Sequence, residues 1–237
     1  MQILFEDYHL IVLNKPAPLL TQAPEGIPSL EALVKAYIKE KYNKPAGVYL
    51  GIPHRLDRPV SGVVVFARNS KSAQRIHDQF QNHRVTKIYW ALVEGELQPE
   101  AGEWRNWLRK LPEESRTELA EPGSPKAKEA IAHYRVLRRF GDRTLVELAP
   151  KTGRMHQLRI QLAVRGHPIV GDDMYGGKQT FGPVVENFRD RIIALHARSL
   201  TLEHPFRKET LFVEAPLSAD WPEITSFHPN QSGNSVD

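Results

Sequence analysis

The sequence predicts an α+β fold, a mixed and mostly antiparallel sheet with helices on its flanks. Two observations carry this. Strand-period and helix-period segments intermix along the 237 residues without a strict strand–helix–strand rhythm. Neighbouring strand segments are also joined by short turns such as Gly141-Asp142, which makes hairpins. Taken in order, Ile3 to Asn14 reads as two short strands around Glu6-Asp7, with Ile11, Val12 and Leu13 as a buried run. Lys15-Pro16-Ala17-Pro18 ends them, because proline cannot donate to a ladder. Ser29 to Tyr42 is an amphipathic helix carrying Leu30, Leu33, Val34, Tyr37 and Ile38 at helical spacing. Gly62 to Ala67 is a buried strand. Ser70 caps the next helix, whose apolar stripe is Ala73, Ile76 and Phe80. Thr86 to Val93 is a further strand. Gly102 to Lys128 reads as irregular, ending in the loop Glu121-Pro122-Gly123-Ser124-Pro125. Glu129 to Leu137 alternates Ala130, Ala132, Tyr134 and Val136, which makes it a strand, and Arg143 to Leu148 follows as its partner. Arg154 to Arg165 is expected to be helical, stopped by Gly166. Gly166 to Asp172 reads as a tight return turn, Ile192 to Leu202 and Thr210 to Glu214 as strands, and Leu217 to Ile224 as a short last helix. With no internal repeat and no linker, residues 1–227 are expected to form a single domain, and 228–237 a polar, disordered tail.

Composition narrows the function classes. The chain has no cysteine, which removes disulfides, thiolate nucleophiles and Cys-ligated zinc. The first residues lack a basic region followed by a long apolar run, so no signal peptide, no membrane span and a cytoplasmic location are expected. A net charge of +4 is compatible with nucleic acid, and the basic residues cluster, as at Arg135, Arg138, Arg139 and Arg143. His156, His167, Asp172, Asp173 and His196 are metal-capable, but none stands at a recognised ligand spacing, and no metal is expected. Neither a phosphate loop nor a dinucleotide fingerprint is present.

Two segments carry chemistry. His54-Arg55-Leu56-Asp57-Arg58-Pro59-Val60-Ser61-Gly62 sets one carboxylate, Asp57, between two arginines on a turn stiffened by Pro59. Asp57 directly precedes a strongly apolar strand, so a rigid element positions it. Thr152-Gly153-Arg154-Met155-His156-Gln157-Leu158-Arg159 supplies the opposite charges. A guanidinium such as Arg159 beside a carboxylate keeps it ionised, and only the ionised form is a nucleophile. The start of a helix, with its free N–H groups, already favours anions there. Tyr89 lies in the strand Val85 to Val93, where an aromatic residue is ordinarily core. If its ring faces a pocket, it is able to stack on a base or move a proton.

In their order and spacing these segments resemble the RluA-type family of RNA pseudouridine synthases. The likeness runs from Leu4 to Pro16, through His54 to Gly62 and Lys87-Ile88-Tyr89, to Gly153 to Arg159, His167 to Asp172 and Leu195-His196-Ala197. It implies the family's catalytic fold, a bent antiparallel sheet with RNA across a central cleft. It implies isomerisation of specific uridines in structured rRNA or tRNA, after the target nucleotide is flipped out. Asp57 matches the catalytic aspartate, Tyr89 the tyrosine that stacks on the target base, and Arg159 the basic partner of the aspartate. Arg55 matches an arginine able to fill the space left by the flipped nucleotide. Arg154, His156 and Gln157 are expected to line the cleft as substrate-binding residues. No cofactor is implied, because the reaction is neither redox nor hydrolytic. The implied partner is an RNA stem-loop, met by a monomer. Val60 stands where many members have threonine, Pro18 where glycine is common, and Gln161 in place of a frequent histidine. Many relatives carry a small basic RNA-binding domain ahead of this pattern. None is expected here, so recognition is expected from the catalytic domain itself. Two other classes are a non-catalytic RNA-binding protein of the same fold and a metal-dependent phosphodiesterase.

Overall fold

The computed structural model describes residues 1–111, 113–221 and 224. Ten strands form one sheet: β1 (Gln2–Glu6), β2 (Leu10–Lys15), β3 (Ser61–Ala67), β4 (Thr86–Glu94), β5 (Ala101–Leu111), β6 (Arg116–Ala120), β7 (Lys128–Arg139), β8 (Arg143–Pro150), β9 (Leu195–Glu203) and β10 (Thr210–Glu214). Their spatial order is β1-β2-β3-β9-β4-β8-β7-β5-β6, with β10 also paired to β9. Every pairing is antiparallel except β3 with β9, which meet in parallel over Ser61↔His196 and Gly62↔Ala197.

That short parallel contact positions the site. Gly62 lies at φ +115, and a Cβ there would come within 2.3 Å of the Ala197 carbonyl oxygen. Only glycine permits so close an approach. It brings the Asp57–Ser61 turn against the strand on which Ala197 lies.

Three helices flank the sheet: α1 (Leu30–Lys41), α2 (Ser70–Gln81) and α3 (Gln157–Ala163). α1 begins where the sequence predicts, with the Ser29 side chain accepting from the Ala32 N–H. Alternation along β2 and β3 sorts their residues into two cores. Ile11, Leu13, Val64 and Phe66 join Leu30, Val34 and Ile38 of α1. Leu10, Val12, Val63 and Val65 join Ile76 of α2 and Leu200 of β9.

Five expectations are corrected. α2 is capped by Asn69, whose side chain accepts from the Ser72 N–H at 2.9 Å, and Ser70 is its first residue. The stretch from Gly102 to Lys128 is not irregular but holds β5 and β6. Its strand character was hidden because only Trp104 and Leu108 of β5 are fully buried, while the other face carries charge pairs, Arg109 with Glu118 and Arg105 with Glu129. α3 does not begin at Arg154. His156 has φ 53, a left-handed conformation that a right-handed helix does not accept, so Arg154 and His156 precede the helix. β9 starts at Leu195, because Ile193 N–H turns to the Pro59 carbonyl. Residues 217–221 form no helix, while 222, 223 and the expected tail at 228–237 lie outside the described residues. Among the described residues no helix is long and apolar enough to cross a membrane.

Candidate active site

A cleft of about 960 Å³ opens over the β3–β9–β4 region, and both segments singled out from the sequence line it. Asp57 sits on its wall at the start of the turn before β3, with a side chain one-third exposed. The structure therefore brings Asp57, Tyr89, Arg159, Arg55, Arg154, His156 and Gln157 to one cleft.

Asp57 Oδ2 lies 3.6 Å from Arg159 Nη1 and 3.6 Å from His156 Nε2. The Asp57 side chain makes no hydrogen bond among the described residues and is held by these two longer ion-pair contacts. Arg159 itself is held elsewhere. Its Nε and Nη2 form a fork onto the two carboxylate oxygens of Asp172, at 2.6 and 2.7 Å. Both members are buried. Bidentate, charge-assisted bonds of this kind fix the guanidinium plane. Burial works to lower the basicity of Arg159, but the hydrogen bonds and charge of Asp172, with the charge of Asp57, outweigh it and raise the pKa. Asp172, which the sequence places at the end of a return turn and among the metal-capable residues, is the anchor of Arg159.

Tyr89 lies on β4 at the point where the β4–β9 register slips between Ile88 and Tyr89. Bulges of this kind re-aim side chains next to active sites. Tyr89 is half-buried on the cleft wall, and its hydroxyl has no partner among the described residues. Burial first, and the nearby Asp57 charge second, raise its pKa above the ordinary phenol value. The group stays protonated at neutral pH, which suits a stacking surface or a hydrogen donor rather than a base. Two residues before it, Lys87 faces the same cleft, and burial lowers its pKa to about 8. The sequence showed Lys87 only as part of a motif.

The remaining expected substrate residues divide. Arg55 is exposed and has no hydrogen bond or ion pair among the described residues. Arg154 donates from Nε to the Glu129 carbonyl at 2.9 Å, which lays its side chain along β7. Gln157 is buried. Its amide oxygen accepts from Thr152 Oγ1 at 2.7 Å and from the Arg154 N–H at 3.1 Å, and its NH2 donates to the Ile131 carbonyl at 3.0 Å. Gln157 thus builds the turn that presents Arg154, at the edge of the cleft it helps to line. His54 is also in the cleft, with Nε2 accepting from the Val65 N–H at 3.1 Å and its ring stacked on Phe80 at 4.8 Å. Burial holds its pKa at about 3, so it is neutral.

Among the described residues no three His, Asp or Glu side chains are grouped as metal ligands. The metal-capable residues serve other bonds. Asp173 pairs with Arg191, His167 Nδ1 lies 2.9 Å from the Glu94 carbonyl, and His196 Nδ1 lies 2.8 Å from the Ser61 hydroxyl.

Known proteins resemble this chain along most of its length. The sequence pattern of the RNA pseudouridylate synthase family matches residues 9–164, a span that contains Asp57, Tyr89 and Arg159. The tRNA pseudouridine synthase C of Salmonella typhimurium is 33% identical over 246 residues, covering 96% of this chain and 90% of that one. The ribosomal large subunit pseudouridine synthase D of Haemophilus ducreyi is 34% identical over 235 residues, 94% of this chain and 69% of that one. The ribosomal large subunit pseudouridine synthase C of Buchnera aphidicola is 32% identical over 215 residues, and this chain spans 66% of its length. Among solved structures, human RNA pseudouridylate synthase domain containing 4 superposes with a TM-score of 0.75 at 27% identity, over 92% of this chain and 89% of that one.

Proposed function

Because this chain belongs to the RNA pseudouridylate synthase family, we propose that it converts uridine in structured ribosomal or transfer RNA to pseudouridine, with Asp57 as the catalytic carboxylate. In the net reaction the N1–C1′ bond of uridine breaks, a C5–C1′ bond forms, and a hydrogen passes from C5 to N1. Nothing is added or lost, so the chemistry asks for an anion, a place for the base to turn, and grip on the backbone. The carrying observation is the placement of Asp57: its side chain is one-third exposed on the cleft wall, and Oδ2 lies 3.6 Å from both Arg159 Nη1 and His156 Nε2.

A stacked uridine hides C1′ and C5, so the nucleotide has to leave the stack at a cost of roughly a few kcal/mol. A cleft of about 960 Å³ accommodates a flipped nucleotide. Arg55, Lys87 and Arg154 surround it with positive charge, which offsets that cost through phosphate contacts. Tyr89 offers a ring on which the free uracil is held while it rotates. Arg159, immobilised by Asp172, opposes the negative charge of Asp57 before the reaction and needs no rearrangement during it.

The test is Asp57→Asn, which keeps the shape and removes the charge. Pseudouridine formation on unmodified ribosomal and transfer RNA transcripts is expected to fall by roughly a thousandfold or more, in line with loss of an essential nucleophile or base. RNA affinity and thermal midpoint are expected to stay near wild type. Turnover within about tenfold of wild type would remove Asp57 from the reaction. A wild-type protein that binds these transcripts and leaves every uridine unchanged would instead mark a non-catalytic RNA-binding protein.

A further inference from the structure

Tyr175 carries an inference that rests on the isomerase reading of Asp57. It stands in the short 3-10 turn Asp173–Tyr175, beyond both motifs. Its phenol oxygen receives the Thr117 N–H of β6 at 2.9 Å and lies 2.9 Å from His156 Nδ1. The Thr117 carbonyl is farther, at 3.2 Å. The His156 ring meets the Tyr175 ring edge-on at 90°, and the Arg159 guanidinium lies 5.0 Å from the same ring. His156 therefore spans the gap between Tyr175 and Asp57, with Nδ1 on the phenol and Nε2 at 3.6 Å from Oδ2.

The hydrogens follow from this geometry. Burial foremost lowers the His156 pKa, so the ring is neutral near pH 7 and carries one hydrogen. The Tyr175 oxygen already accepts from Thr117, and its own hydrogen has the closer acceptor in Nδ1. With the hydrogen on Nδ1 instead, the Nε2 lone pair would face the Asp57 carboxylate. The surrounding charges are Asp57, Arg159, Asp172 and Lys110, with Arg116 against the Tyr175 ring. We infer that Tyr175 is a positioning residue: by donating to His156 Nδ1 it fixes the imidazole as the Nε2–H form, aims that hydrogen at Asp57 Oδ2, and leaves Oδ1 as the oxygen that meets the ribose. Two routes are open to Oδ1. It either bonds to C1′ as the N1–C1′ pair departs onto uracil, or it takes the 2′ proton as C1′ and C2′ become doubly bonded and the same pair departs. In both, Oδ2 keeps its partners.

The tautomer is readable without substrate. In a two-bond proton–nitrogen spectrum of the 15N-histidine-labelled protein, with His156 assigned by its loss in His156→Gln, the wild type is expected to show the Nε2–H pattern at neutral pH. Tyr175→Phe removes the donor and frees Nδ1 to take a proton, so the pH at which His156 becomes charged is expected to rise. Pseudouridine formation by Tyr175→Phe is then expected to be lost more steeply on the acid side, roughly tenfold more than in wild type at about pH 6. The double variant Tyr175→Phe/His156→Gln is expected to lose that additional acid dependence. An Nδ1–H pattern in the wild type, or a His156 titration and pH–rate profile unmoved by Tyr175→Phe, would overturn the assignment. If Tyr175→Phe does not fold, the wild-type spectrum alone decides. An inactive wild type with the Nε2–H pattern would remove the isomerase reading and leave the tautomer standing.

Discussion

Two arginines share the cleft with Asp57, and they are built on different principles. Arg159 is buried, forked onto buried Asp172, and packed near Tyr175. Arg55, two residues ahead of Asp57 in the same turn, is exposed and unpartnered among the described residues. A buried guanidinium that loses its anion is left charged in a poor solvent, whereas an exposed one is solvated by water. The first arrangement belongs to a group that must not move while charge is redistributed beside it. The second leaves the group free to change its position. The cleft thus sets a buried, fixed guanidinium on the α3 side against an exposed, unpartnered one just ahead of Asp57.

The largest effect is expected from Asp172→Ala. Breaking a buried pair by removing one partner costs about 3–5 kcal/mol. Urea unfolding is expected to show a loss of that order, together with lower pseudouridine formation, because Arg159 is no longer aimed at Asp57. A loss below about 1 kcal/mol with full activity would show that the α3 side does not depend on this pair.

Arg55→Ala is expected to leave unfolding within about 0.5 kcal/mol of wild type, as for exposed positions without partners. RNA affinity is expected to weaken, and the salt dependence sharpens the picture. If the guanidinium meets a phosphate, the slope of log affinity against log salt falls by about 1. If it fills the gap left by the flipped nucleotide, affinity falls with the slope unchanged. A destabilised Arg55→Ala would erase the contrast with Arg159.

The contrast extends beneath the same turn, where Lys15 ties the loop to the core through backbone carbonyls. Its Nζ is buried and donates to the carbonyls of Leu19, Arg58 and Pro16 at 2.6, 3.3 and 3.1 Å. Burial lowers its pKa to about 7, and the nearby Asp57 charge opposes the shift. The unfolded chain has an ordinary lysine, so above pH 7 and up to about pH 10.4 it binds more protons than the folded chain. Stability is therefore expected to rise with pH across that window, by at most about 1.4 kcal/mol per pH unit from this group. Lys15→Met is expected to flatten the slope seen in urea unfolding at several pH values. An equal slope in both proteins would place Lys15 outside that linkage.

Much of this was legible along the chain. The strands flanking Glu6-Asp7, the helix capped by Ser29, and the strand Thr210–Glu214 follow from periodicity and capping alone. Asp57 stands out because Pro59 and the apolar strand behind it leave it on a stiff turn. β5 was not legible, since strand alternation shows only where one face is apolar, and its outer face is balanced by charges from β6 and β7. The start of α3 was not legible either. Helical spacing continues through His156, but the side chain of Gln157 holds Thr152 and Arg154 in a turn instead.

Local sequence determined which residue types were available to the site: one acid on a braced turn, a tyrosine on a buried strand, and a basic segment far along the chain. Tertiary structure alone decided who holds whom. Arg159 reaches Asp172 only because the chain after α3 folds back, and Tyr175 reaches His156 only because β6 presents Thr117 beneath it. Charge and hydrogen-bond partners act over a few ångströms of space, whereas propensity and periodicity act over a few residues of chain. The pairings that set Arg159 and His156 beside Asp57 are of the first kind.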